Sequence, residues 1–212
     1  MSAMVPLREL GKTGVTVSVV GLGSGQLGEA SVSDAQSRRL VAHALDLGIN
    51  LIDTADSYGA AAERLAPMLR AKRSAIVLSA KVGRRVDPAL DGSTTSIVES
   101  TDALLRRLGT ETIDLLRLRT MPLSVIERDD ASRALEDLKA QGKCRFVAFS
   151  GENELAAAIA AGGFDVILTS VNICSFRVRC SNRRRTSCER RPGVRARARS
   201  SFAYRAKQYR RR

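Results

Sequence analysis

Histidine is almost missing from this chain: 212 residues hold a single one, His43. It lies off the apolar face of the helix expected over Asp34 to Leu47, which makes it a solvated side chain and not a catalytic one. Cysteine is nearly as scarce. Cys144, Cys174, Cys180 and Cys188 form no CxxC pair, and the seven residues between the last two are not a usual zinc spacing. They read as reduced and incidental, and no metal is expected. No apolar run approaches the roughly 20 residues of a membrane-spanning helix, and no signal peptide opens the chain. A soluble cytoplasmic protein without a membrane partner is the default expectation.

Acidic residues are missing from one region only. Residues 175–212 carry one acid against 15 Lys+Arg, fourteen of them arginine, whereas residues 1–174 carry 21 acids against 20 bases. The net charge of +13 therefore belongs to the last segment and describes nothing of what precedes it. That segment also lacks apolar periodicity of either 2 or 3.6. Its readings stay open: out-of-frame translation of a GC-rich gene, an arginine-rich nucleic-acid-binding segment with Phe202, Tyr204 and Tyr209 as stacking groups, or a disordered polybasic end. The 14-to-1 excess of arginine over lysine suits the first, because a solvating tail would use lysine as well. Nonspecific binding to polyanions, collapsing as salt rises, is expected; specific nucleic-acid binding is not.

Ahead of the tail the chain is regular. Leu7 to Leu10 and Val15 to Ser18 flank a Gly-bounded turn and read as a β-hairpin. A short strand over Val19 to Gly21 leads into Gly23-Ser24-Gly25-Gln26-Leu27-Gly28, which matches G-x-G-x-x-G in letters. A dinucleotide fold needs a helix opening at those glycines. Here the helix signal starts later, at Ser33, with Gln36 completing a capping box. The alternative is a Gly-rich loop at a strand end, where backbone must approach something closely.

Helices are then expected over Ala61 to Ala71, Thr95 to Leu108, Ala131 to Ala140 and Glu154 to Ala161. Strands are expected over Asn50 to Ile52, Ala75 to Ala80, Ile113 to Leu118, Arg145 to Phe149 and Val166 to Ser170, with a loop over Arg84 to Ser93. Strand–helix alternation implies a parallel sheet with right-handed crossovers. Ser24, Asp53, Tyr58, Lys81, Arg119 and Ser150 all fall at or just after strand C-termini, which is where a (β/α)8 barrel carries its active face. Singly they are bland, Asp53 as a helix cap and Tyr58 as a surface ring. Together they favour the barrel over a Rossmann-like open sheet, and the leading hairpin would plug the barrel floor.

The segments LRELGKTGVTVSVVGLGSG, NLIDTADSYG, VLSAKVG, LLRRLGTETIDLL, LEDLKAQGKCRFVAFSG and GFDVILTSVN run in order through residues 7–172. On these segments the chain resembles the aldo-keto reductases. The resemblance implies a (β/α)8 TIM barrel, here incomplete at about six βα units, over residues 1–174, with residues 175–212 as a disordered basic tail. It implies reduction of an aldehyde, ketone or sugar carbonyl by NADP(H) or NAD, without a metal. It assigns catalysis to Asp53, Tyr58 and Lys81. Tyr58 would protonate the carbonyl oxygen, with Lys81 and Asp53 as a buried pair beside it. Free tyrosine, with a pKa near ~10, is a poor neutral-pH catalyst, and a nearby ammonium favours the phenolate. The carboxylate in turn keeps that ammonium charged. Cofactor contacts would come from Gly23, Ser24, Asp53, Ser150 and Gly151.

Three positions depart from the family pattern. Its fourth catalytic residue is a histidine five positions after the aspartate of the DLL motif, where Arg119 stands. Arg119 can stabilise a developing oxyanion but cannot give up a proton. Gly151 replaces an asparagine and Leu168 a glutamine among the nicotinamide anchors. The family match fades near Cys174, ahead of the loops that clasp the cofactor phosphates. A chain truncated or frameshifted after about residue 174 is thus expected, with impaired reductase activity. An inactive fragment and an arginine-rich nucleic-acid binder on a reductase-derived scaffold are the alternatives, and a cofactor-sensing module without turnover is a third.

Overall fold

The computed structural model of the chain describes residues 4–83, 93–119, 130–151, 158–159, 162–170 and 202–205. A short antiparallel hairpin comes first, β1 (Leu7–Glu9) with β2 (Thr16–Ser18). Six parallel strands follow in chain order: β3 (Leu22–Gly23), β4 (Leu51–Ala55), β5 (Val77–Val82), β6 (Ile113–Leu118), β7 (Cys144–Ser150) and β8 (Val166–Ser170). Each pairs only with its sequence neighbours. Helices α1 (Asp34–Asp46), α2 (Ala61–Lys72), α3 (Thr94–Leu108) and α4 (Asp130–Ala140) lie between them. This is the progression of a βα barrel, built in the expected strand order.

The local signals act as read. Ser33 and Gln36 form the capping box of α1, with Gln36 N donating to Ser33 Oγ at 3.2 Å and Ser33 N to Gln36 Oε1 at 2.8 Å. Gly109 ends α3 in the left-handed conformation, φ 63°. Three boundaries that bear on the site differ from expectation. Strand β4 runs over Leu51–Ala55 rather than 50–52, so Asp53 is a mid-strand residue rather than one at the strand end. The first parallel strand is Leu22–Gly23 rather than 19–21, and Val19 and Val20 are exposed. Strand β5 runs on to Val82, so Lys81 is a strand residue rather than one that follows the strand. In α1 Leu40 is exposed, apolar though it is, while Val41 and Ala44 are buried.

Alternation along the strands sorts side chains onto two faces. Ile52, Leu78, Leu116 and Val147 face the helices and pack with Leu65, Leu69, Leu104 and Leu138. Leu51, Val77, Leu115, Ala148 and Val166 face the other way and cluster with Leu10, Val15 and Val17 of the hairpin. The hairpin thus covers the interior at the strand starts, as a floor plug would. Interior positions further along the strands are left for polar groups.

Of the expected tail, the structure describes only Phe202–Arg205. These form β9, antiparallel to β8, with Leu168 opposite Tyr204. The segment has no long apolar alternation, but aromatic residues at every second position suit a strand, and the outer edge of β8 offers unpaired backbone groups. The other tail residues, residues 84–92 of the loop expected over Arg84 to Ser93, and most of the expected helix 154–161 lie outside the described residues, as do Cys174, Cys180 and Cys188. Among the described residues no helix is long and apolar enough to cross a membrane.

Candidate active site

Asp53, Lys81 and Arg117 share the parity of Leu51, Val77 and Leu115, so all three point into the barrel interior above the hairpin floor. Register aligns Lys81 of β5 with Arg117 of β6, and Asp53 of β4 with Ser79. Lys81 Nζ stands 3.6 Å from Asp53 Oδ1, while Arg117 Nη2 donates to Asp53 Oδ2. The Arg117 guanidinium is completely buried. The lysine ammonium also lies 5.1 Å from the centroid of the Tyr58 ring. Four polar groups from two strands, a third strand and one loop therefore converge at one end of the sheet.

Tyr58 is half-buried on the loop between β4 and α2. That loop meets the Gly-rich segment after β3 with no room between them. A Cβ on Gly28 would fall 1.9 Å from the Tyr58 carbonyl oxygen. One on Gly59, whose φ is 48°, would fall 2.4 Å from the Gly28 carbonyl oxygen. The last glycine of the G-x-G-x-x-G match thus serves contact between two loops rather than a pyrophosphate, and a Cβ on Gly25 would meet the Tyr58 ring at 3.8 Å. Arg64 of α2 holds the same Gly-rich segment from its other side, donating to the carbonyl oxygens of Leu27 and, at 2.8 Å, Glu29.

Two further arginines hold the tyrosine loop. Arg119, directly after β6, donates to Ser57 Oγ at 2.7 Å and reaches Asp56 Oδ1 at 3.3 Å. Its guanidinium is thereby directed onto the loop beside Tyr58. Arg107 of α3 donates to the Asp56 carbonyl oxygen at 2.9 Å and to that of Gly59, and it pairs with both oxygens of Glu63 at 2.6 and 2.9 Å. This hydrogen bond from Arg107 holds the Glu63 carboxyl below its ordinary range, and the same bond holds the Arg107 guanidinium above its own.

A carboxyl whose folded pKa is depressed stabilises the fold above its unfolded value, near ~4.3 for Glu, and loses that contribution as pH falls through the folded value. Acid titration of unfolding stability is therefore expected to show a decline below about pH 4.3 that Glu63→Gln reduces. Because the Glu63 side chain is 52% exposed, the decline is small. An identical acid limb in the variant would mean that the pair contributes nothing.

The expected cofactor residues lie around the same end. Gly23 is exposed, with open space where a Cβ would stand. Ser24 is wholly buried; its backbone N–H donates to the Asp53 carbonyl oxygen at 2.8 Å, and its hydroxyl has no partner among the described residues. Ser150 ends β7 opposite Leu168, and Gly151 N donates to the Leu168 carbonyl oxygen at 3.2 Å. An apolar side chain at 168 supplies no hydrogen bond to a bound carboxamide. The one described thiol, Cys144, is buried, and burial pushes it up to about 12, so it stays protonated and unreactive.

The expectation from sequence names Asp53, Tyr58, Lys81 and Arg119; the structure brings the first three together and turns Arg119 onto the Asp56–Ser57 turn of the tyrosine loop. It overlooks Arg117 and Arg107. Arg117 is signalled by its place in IDLLRL, where a charge stands at the parity of Leu115 and in register with Lys81. Arg107, in LLRRLG, reads as a solvated helix residue, and nothing in the local pattern shows that it crosses to another loop.

Comparison with known proteins bears on the same constellation. The model of the aldo/keto reductase family matches residues 19–206. L-galactose dehydrogenase of Arabidopsis thaliana is 31% identical over 156 residues, covering 69% of this chain and 49% of that protein. The 6-dehydroglucose reductase of Novosphingobium aromaticivorans is 30% identical over 186 residues, covering 82% of this chain and 61% of that protein. The chain thus spans about half to three-fifths of the length of these curated relatives. A solved structure of an aldo-keto reductase from Pseudomonas aeruginosa superposes with a TM-score of 0.75 at 33% identity, covering 84% of this chain and 72% of that one.

Proposed function

Starting from the membership of this chain in the aldo/keto reductase family, we propose that its site reduces a small aldehyde, ketone or sugar carbonyl with hydride from NADP(H) or NAD. The observation that carries this reading is the Lys81 ammonium, placed between the Asp53 carboxylate at 3.6 Å and the Tyr58 ring at 5.1 Å. A bound nicotinamide would supply the hydride. The exposed Gly23 and the half-exposed Ser150, followed by a buried Gly151, would take up that ring, although Leu168 removes one polar anchor.

The chain's own residues manage the proton. Tyr58 donates its phenolic proton to the carbonyl oxygen as negative charge develops there. Lys81 stabilises the phenolate left behind, and Asp53 keeps Lys81 charged in a partly buried place. Arg119 holds the Asp56–Ser57 turn and adds positive charge near the oxyanion, since a guanidinium is no proton donor. With no histidine to share proton transfer, turnover is expected to fall below that of relatives that have one, by up to the ~10²–10⁴ that a single acid–base group supplies. The names of the two curated relatives favour a sugar carbonyl as substrate. The test is oxidation of NADPH, followed by absorbance, with a panel of reactive aldehydes and aldoses. Saturable NADPH binding without any carbonyl-dependent oxidation would point instead to a cofactor-sensing module.

A further inference from the structure

We propose that Arg107 is a positioning residue that fixes Tyr58 by gripping the loop on both sides of it. The proposal rests on the reading above only in taking Tyr58 as the proton donor. Arg107 lies in the last turn of α3, yet it touches carbonyl oxygens two residues before and one residue after Tyr58. A guanidinium is planar and presents five donors in a fixed fork. Glu63, in the first turn of α2, takes two of the fork's directions at 2.6 and 2.9 Å and fixes its plane. The remaining donors then meet Asp56 and Gly59 in one orientation.

The opposite side of the loop is closed by backbone. Gly59 and Gly28 approach too closely for either to carry a Cβ, and Ala60 N donates to the Gly28 carbonyl oxygen at 3.3 Å. The loop is therefore held between Gly28 and Arg107. Loss of Arg107 removes the ties to the Asp56 and Gly59 carbonyl oxygens that bracket Tyr58, and leaves Arg119 holding only the Asp56 and Ser57 side chains. Tyr58 then loses its distance to Lys81, and a misplacement of about 1 Å at a reacting group costs about 10² in rate. Lysine does not substitute, because a single ammonium cannot serve two carbonyl oxygens and a bidentate carboxylate at once.

The test uses the full chain labelled with 13Cζ-tyrosine. It has three tyrosines, and Tyr58→Phe identifies the Tyr58 signal. In the unaltered chain one sharp Tyr58 resonance is expected. Arg107→Ala and Arg107→Lys are expected to broaden or split it, and added guanidinium is expected to restore it in Arg107→Ala. Where turnover is measurable, kcat falls about 10²-fold with the KM for NADPH unchanged. Should Arg107→Ala fail to fold, Glu63→Gln keeps the question open to measurement, with a weaker broadening expected. A folded Arg107 variant with lower thermal stability but an unmoved Tyr58 resonance would overturn the proposal, leaving Arg107 a structural tie only. Because the resonance needs no turnover, an unaltered chain without reductase activity would refute the functional reading and leave this test standing.

Discussion

Asparagine in place of Asp53 is expected to destabilise the folded chain by about 3–5 kcal/mol, the usual cost of breaking a buried ion pair from one side. Asparagine keeps the shape of the side chain and removes only its charge. The Arg117 guanidinium is completely buried and cannot neutralise itself by losing a proton. Its acidic partner is Asp53, which also lies 3.6 Å from Lys81. The opposite change, Arg117→Met, replaces the buried cation with apolar volume and leaves Asp53 to Lys81. Replacing a buried charge in that way is often close to neutral. Urea unfolding of the two variants separates the cases: Asp53→Asn should lower the midpoint strongly and Arg117→Met little. Equal midpoints would mean that Asp53 does not neutralise Arg117. Turnover should fail in Asp53→Asn as well, since Lys81 loses the carboxylate that holds it charged.

Phenylalanine in place of Tyr58 is expected to lower kcat by at least about 10²–10⁴ while leaving stability and NADPH affinity unchanged. The ring packs on the helix-side core, above Gly25 and beside Lys81, and phenylalanine keeps those contacts. Only the phenolic proton is lost. Thermal melting and NADPH fluorescence titration establish that the variant is intact, and carbonyl-dependent oxidation of NADPH measures the rate. A variant that turns over at the unaltered rate would place proton donation elsewhere, and Arg119 cannot be that place.

The barrel progression was legible because each strand and helix announces itself locally. Ser33 and Gln36 mark a helix start, Gly109 a helix end, and ILTS or VLSA a strand. The strand that begins the sheet was harder to place. Val19 and Val20 look like strand interior yet are exposed, and the pairing residues are Leu22 and Gly23. Apolar character cannot show which of two adjacent pairs meets β4. The site was legible through residues expected at strand ends: Asp53, Tyr58 and Lys81 do meet, and Arg119 reaches the turn next to Tyr58. What strand-end reasoning passed over was Arg117, which lies inside a strand as Asp53 and Lys81 also do, and Arg107, which acts across 48 and 51 residues of sequence. Side-chain bonds to distant backbone leave no periodic trace. The same holds for Gly28, whose reason is a contact with Tyr58 rather than a phosphate.

Transfer of deuterium tests the central claim most directly. The chain is incubated with NADPH carrying deuterium at C4 of the nicotinamide and a reactive aldehyde, and the alcohol formed is examined by mass spectrometry. Deuterium on the former carbonyl carbon is expected with the unaltered chain, at a yield that Tyr58→Phe reduces by about 10²-fold or more. Unlabelled aldehyde recovered intact from a chain that binds NADPH saturably would contradict the proposed hydride transfer.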